Sequence, residues 1–203
     1  ELAAATWLHK QARKDEPFFL SVGFGETHRE FPEDGWSVDP NFVKPPDPLP
    51  DTRRTREDMA AYITYAELLD RKMGVVFDAL RDTGQIDNTL IICTTDHGIA
   101  FPRMKCSLQD SGIGILFIVR GPKGFTGGKA VDGLASHIDV IPTICDVAGI
   151  DTPSRCEGVS LRPLAAGEVD SVREEIHAEV NYHACYEPMR CVRTDRYKYI
   201  KRF

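Results

Sequence analysis

Thr89-Leu90-Ile91-Ile92-Cys93-Thr94-Thr95-Asp96-His97-Gly98 is the stretch that decides the fold. Apolar and β-branched residues run without polar alternation, then stop at an acid, an imidazole and a glycine. Such a run reads as a strand buried on both faces. Asp96 and His97 then sit at its carboxyl end, where open α/β sheets place their ligand crevices. Gly98 permits a sharp exit beside them. A carboxylate next to an imidazole on a rigid strand end can hold a divalent metal. On the tripeptide alone a capped turn is the favoured reading, since such tripeptides occur by chance, so the rest of the chain has to decide.

Working outward, a second apolar run precedes it. Residues 2–14 read as a helix with Leu2, Ala5 and Leu8 on one side, broken at Glu16-Pro17. Phe18 to Phe24 then reads as another buried strand, whose end delivers Gly25-Glu26-Thr27-His28-Arg29. Two strand ends offering polar groups suggest one shared crevice. The proline-rich stretch 31–53 reads as an extended surface segment. Thr55 to Arg81 is the clearest helix, with Met59, Ile63, Ala66, Leu69, Met73, Val76 and Leu80 at helical spacing. Thr55 with Asp58 resembles a capping box, and Gly84 a stop. A strand, a long helical crossover and a second strand imply parallel pairing.

Downstream, Ile99 to Gly112 is irregular and carries Lys105, Ile113 to Val119 reads as a third buried strand, and 121–133 is a glycine-rich loop. Ser136 caps a helix that runs to Ala148 and stops at Gly149, with Asp139 suited to its positive end. Residues 150–171 are loop-like. Glu175 to Val180, Met189 to Thr194 and Arg196 to Lys201 read as strands of a new antiparallel sheet, the last two joined by a turn near Asp195. The fold class is therefore α/β: part of a doubly wound mixed or parallel sheet flanked by helices, with the start of a small C-terminal antiparallel sheet. The expected division is a catalytic-domain part over 1–172 and a C-terminal subdomain from 173 to 203.

Composition narrows the function. The chain has 203 residues, 42% hydrophobic and 28% charged, which suits a soluble globular protein. No apolar run approaches the ~20 residues that span a bilayer, so no membrane contact is expected. A formal charge of −6 argues against a nucleic-acid partner. An anionic substrate would need a locally positive pocket. The chain opens at Glu1 rather than Met, which is compatible with a removed upstream segment; its compartment is left open. The six cysteines form no C-x-x-C pair, and Cys93 and Cys145 lie in apolar runs as small core residues.

The chemistry assembles as follows. Asp96 and His97 offer metal ligation, while His28 and Lys105 offer groups that could face an anion. That set suits hydrolysis of a sulfate or phosphate ester, where charge on the transferring group must be neutralised. One acid and one imidazole are too few ligands for a hard divalent ion, and no nucleophile sits beside a base. The site as written is half a site.

Ile92 to Gly98, followed by Pro102 and Lys105, resembles the second-half signature of the sulfatase family in the alkaline phosphatase superfamily. So do Ser136-His137-Ile138-Asp139-Val140-Ile141-Pro142-Thr143 with Gly149, Gly158-Val159-Ser160-Leu161 to Leu164, and Met189 to Ile200. Val22-x-Phe24…His28-Arg29 and Tyr186-x-Pro188-Met189-Arg190 resemble the N-sulfoglucosamine sulfohydrolase branch. The resemblance implies that Asp96 ligates calcium. His97 stands where many sulfatases carry Asn, and imidazole also admits manganese or zinc. His28 would contact the sulfate or ester oxygen, and Lys105 would bind the sulfate, where the sulfamidase is expected to carry Arg. Thr27 replaces the usual Pro. His183 and Arg190 are candidates for substrate recognition, His183 equally a surface histidine, while an arginine on an outer strand face such as Arg190 is usually just solvated.

The family nucleophile is a formylglycine made from Cys or Ser in Cys/Ser-x-Pro/Ala-x-Arg. Cys156 is followed by Glu-Gly-Val-Ser and Cys185 by Tyr-Glu-Pro-Met, so neither fits. The expectation is the carboxyl-terminal half of a sulfatase-like hydrolase, inactive alone, acting on a sulfated small molecule or sulfated glycan. An amino-terminal half would supply the nucleophile and remaining ligands. Two other readings stay open. One is a phosphodiesterase or phosphonate monoester hydrolase of the same superfamily. The other is a non-catalytic module that self-associates, as a homo-oligomer, through an exposed sheet face or edge.

Overall fold

The computed structural model describes residues 1–12, 15–183 and 185–203. The chain divides into two units, Glu1–Ile86 and Asp87–Phe203.

In the first unit, α1 (Leu2–Lys10) packs on α2 (Arg53–Asp82), and Leu8 of α1 is fully buried. The expected helix end at residue 14 lies outside the described residues; α1 itself closes at Gln11, whose amide donates to the Trp7 carbonyl. α2 begins earlier than the apolar spacing alone predicts. Thr52, not Thr55, is the N-cap, and the two threonines satisfy each other's backbone amides reciprocally. Asp58 is therefore released from capping. The helix ends at Asp82 with Thr83 as its C-cap, and Gly84 turns the chain with φ 66° while Gln85 N donates to the Leu80 carbonyl. The proline-rich segment lies along α2. Arg56 donates to the Asn41 carbonyl at 2.8 Å and pairs with Asp51, and the Ser37 amide donates to Thr64 Oγ1 at 3.0 Å.

Phe18–Phe24 joins no ladder among the described residues. Its burial alternates, and Phe19 is 78% exposed, so it runs as an extended segment with one sheltered side rather than as a strand buried on both. A strand is defined by its neighbours, which an apolar run does not reveal.

The second unit holds both sheets. β1 (Ile91–Thr94) pairs antiparallel with β2 (Phe117–Arg120), Ile91 opposite Arg120 and Thr94 opposite Phe117. The ladder that forms is thus antiparallel, where the helical crossover predicts a parallel one: β1 takes the strand after it as partner. Ile113 is the last residue of a helical turn, α3 (Asp110–Ile113), so β2 starts later than expected. One 3₁₀ turn (His137–Asp139) leads into α4 (Val140–Ala148), stopped by Gly149 with φ 73°. A short helix, α5 (Arg162–Ala166), interrupts the region read as loop. β3 (Glu175–Tyr182), β4 (Tyr186–Thr194) and β5 (Lys198–Arg202) form the antiparallel meander expected at the C-terminus. Met189 and Cys191 on its inner face pack with Leu108, Ile113, Ala178, Val180 and Ile200. The meander therefore backs the loop that follows β1. All six cysteines are unpaired thiols, and no helix among the described residues is long and apolar enough to cross a membrane.

Candidate active site

Asp96 and His97 lie just past the end of β1. His97 Nε2 lies 3.7 Å from Asp96 Oδ2, and Asp96 is 89% exposed against 28% for His97. His97 Nδ1 donates to the Gly98 carbonyl at 2.5 Å, which turns Nε2 toward the carboxylate. Histidines that ligate metals commonly donate their other ring N–H to a carbonyl in this way. Two donors on one ion with bonds of about 2.0–2.6 Å stand roughly 3–4 Å apart, so the pair fits a shared divalent cation. Among the described residues no group of three or more His, Cys, Asp or Glu side chains converges, so the pair could offer a metal at most two of its ligands.

The backbone of the loop is closed on this exit. Gly98 N donates to the Gly112 carbonyl at 2.8 Å, and a Cβ on Gly98 would lie 1.9 Å from the Ser111 carbonyl oxygen. Gly112 in turn sits against the Met104 and Ser107 carbonyls, where a Cβ would fall 2.4 and 2.3 Å away. Only glycine fits either crossing. The turn that carries Lys105 is stitched in this way to the strand end that carries Asp96 and His97. From the other side, Lys198 Nζ donates to the Leu108 carbonyl at 2.9 Å and to Asp110 at 2.6 Å, with Arg193 3.1 Å from the same carboxylate. The Lys198 hydrogen bond, above all, holds the Asp110 carboxyl below its ordinary pKa.

Beneath the strand end, Thr94 Oγ1 and His137 Nε2 share a 2.7 Å hydrogen bond. His137 opens the 3₁₀ turn that ends at Asp139, which is completely buried. Asp139 accepts from the Ser136 amide at 2.8 Å, the Val159 amide at 2.9 Å and the Arg173 guanidinium. Thr143 extends the knot, donating to the Asp139 carbonyl at 2.6 Å and accepting from the Leu161 amide at 2.9 Å. A capping Ser and Asp are legible at 136–139; the long-range partner Arg173 carries no local signal.

The remaining predicted residues belong to other elements. His28 belongs to the first unit, on the loop 25–31, with an exposed ring whose Nδ1 donates to the Arg29 carbonyl. His183 lies at the β3–β4 hairpin and its amide donates to the Cys185 carbonyl at 3.3 Å. Arg190 is on the outer face of β4, opposite the face that packs on Leu108, with Nε 2.9 Å from Glu179 across the ladder. Cys93 is not a nucleophile in waiting: burial pushes its thiol pKa up.

The Sulfatase family model matches residues 3–150, and the model described as N-sulphoglucosamine sulphohydrolase, C-terminal, matches residues 103–203. The chain belongs to the sulfatase family. It is 35% identical over 156 residues to the Delta 4,5-hexuronate-2-O-sulfatase of Bacteroides thetaiotaomicron, covering 71% of this chain and 32% of that protein. It is 32% identical over 169 residues to human N-sulphoglucosamine sulphohydrolase, covering 71% of this chain and 34% of that one. Among solved structures, the phosphonate monoester hydrolase of Silicibacter pomeroyi matches with a TM-score of 0.64 and 27% identity, over 81% of this chain and 37% of that chain. The chain thus spans about a third of the length of the curated relatives it matches.

Proposed function

We propose that this chain forms the carboxyl-terminal part of a hydrolase that cleaves sulfate esters or sulfamates, with a sulfated glycan as substrate. The observation that carries the reading is the His97 Nε2 to Asp96 Oδ2 approach of 3.7 Å, with Nδ1 tied to the Gly98 carbonyl. Asp96 and His97 would hold a divalent ion, calcium by the oxygen donor, manganese or zinc if the imidazole dominates. That ion supplies charge neutralisation at the sulfuryl oxygens when bound. Lys105 presents a cation from the stitched loop, and His28 presents its ring to the sulfate or ester oxygen. His183 and Arg190 contact the sugar. On this reading 1–172 is catalytic-domain sequence and 173–203 belongs to the C-terminal subdomain. The nucleophile, a formylglycine, and the remaining metal ligands come from sequence outside this chain.

A phosphonate monoester hydrolase is the second reading, favoured by the likeness to the Silicibacter pomeroyi enzyme. Assaying the complete gene product on an aryl sulfate and an aryl phosphonate separates the two. Faster turnover of the sulfate, lost in Asp96→Ala, supports the first reading. Faster turnover of the phosphonate supports the second.

A further inference from the structure

The loop that carries His28 is fastened along one stripe of α2. Residues 58, 62, 65 and 72 follow one another at helical spacing and share that side of the helix. Asp58 accepts from both terminal nitrogens of Arg29, Nη1 at 2.8 Å and Nη2 on the other oxygen. The Tyr62 hydroxyl shares a hydrogen bond with Thr27. Phe31 meets Tyr62 and Tyr65 edge-on at 5.8 and 6.1 Å, and the Arg29 guanidinium lies 4.2 Å over the Phe31 ring. Lys72 donates to Glu26 at 2.5 Å. Residues 26, 27, 29 and 31 are thus all anchored to α2, and His28 stands among them, its own amide donating to the Gly25 carbonyl at 2.9 Å.

The anchor and the ring share one residue. Asp58 clamps the Arg29 side chain, and the Arg29 carbonyl accepts from His28 Nδ1. That contact makes Nδ1 the protonated nitrogen of a neutral ring and leaves the lone pair on Nε2. Partly exposed ion pairs add little to global stability, so a bidentate clamp and a second ion pair on so short a loop are better accounted for by orientation.

We infer that Asp58 and Lys72 are positioning residues: through Arg29 and Glu26 they fix the orientation and tautomer of the His28 ring. The proposed role of His28 at the sulfate supplies the use of that orientation. The placement of the ring does not depend on it.

The test is long-range proton–nitrogen NMR of the histidine rings, recorded on this chain above the pH at which the rings are neutral. His28 should show one tautomer, with the proton on Nδ1. In Asp58→Ala with Lys72→Met its two nitrogen shifts should move toward each other, while His9 and His177 keep theirs. An unchanged His28 pattern overturns the inference. If His9 and His177 also shift, the isosteric Asp58→Asn is read by the same criterion. In the complete gene product, Asp58→Asn should lower kcat on an aryl sulfate by roughly tenfold with little change in KM. The same substitution in a His28→Ala background should cost under about twofold, because the group it acts through is gone. Equal losses in both backgrounds contradict the positioning role. Full activity of His28→Ala alone contradicts the catalytic reading of His28 instead, and the tautomer result then stands by itself.

Discussion

The two loops that carry the candidate chemistry are fastened by opposite means. Residues 95–113 are closed by backbone, through the Gly98–Gly112 crossing, with the C-terminal sheet behind them. Residues 25–31 are tethered by side chains to α2. A backbone crossing excludes even a methyl group but has nothing to titrate. A side-chain tether tolerates single substitutions but depends on charge.

The largest effect tests the support beneath the first loop. Asp139→Ala leaves Arg173 without its carboxylate in a buried site, which costs about 3–5 kcal/mol; thermal unfolding should show the corresponding drop, and Asp139→Asn should recover part of it. Gly98→Ala forces a methyl against the Ser111 carbonyl and should cost about 3 kcal/mol. The backbone amide at this position should then exchange with solvent far faster than it does with glycine in place. Lys72→Met, by contrast, should shift the same melt far less than either, since the pair it breaks is partly exposed.

Acid sharpens the contrast at still smaller cost. The Lys72 hydrogen bond, opposed by burial, holds the Glu26 carboxyl below its ordinary pKa. A depressed folded pKa contributes stability above the unfolded value, and that contribution disappears as pH falls through the folded one. Between about pH 5 and 3, hydrogen exchange should therefore accelerate across 25–31 while the Gly98 amide stays protected. Asp110, depressed chiefly by Lys198, adds a second transition where the C-terminal sheet meets the loop. Equal acid sensitivity of the Gly98 amide and of 25–31 would erase the distinction.

Much of this is readable from the residues, and the failures have identifiable causes. α2, α4 and the C-terminal meander follow from spacing, caps and alternation, because each buries one face. Phe18–Phe24 misleads because apolar content does not specify a ladder partner. α5 escapes although Pro163 near its start and Gly167 after its end, φ 77°, punctuate it, because five residues carry no periodicity. Asp96 and His97 are picked out because an apolar run stops abruptly at an acid, although the strand itself is only half-buried, with Thr94 exposed, and not buried on both faces as the lack of polar alternation predicts. The glycine crossings that pull the Lys105 turn toward them are not, because Gly98 and Gly112 look like any loop glycine until both carbonyl neighbours are known. Asp58 and Lys72 are hidden for a related reason: charges on one face of a helix look alike until one of them is seen to hold a loop.

The central claim is that Asp96 and His97 share one metal ion at a sulfatase centre. It is tested most directly by measuring bound divalent metal and aryl sulfate turnover together in the complete gene product and in Asp96→Ala and His97→Ala. The account predicts that each variant loses both stoichiometric metal and at least about 100-fold in kcat/KM. Full metal content with unimpaired turnover in either variant would contradict it.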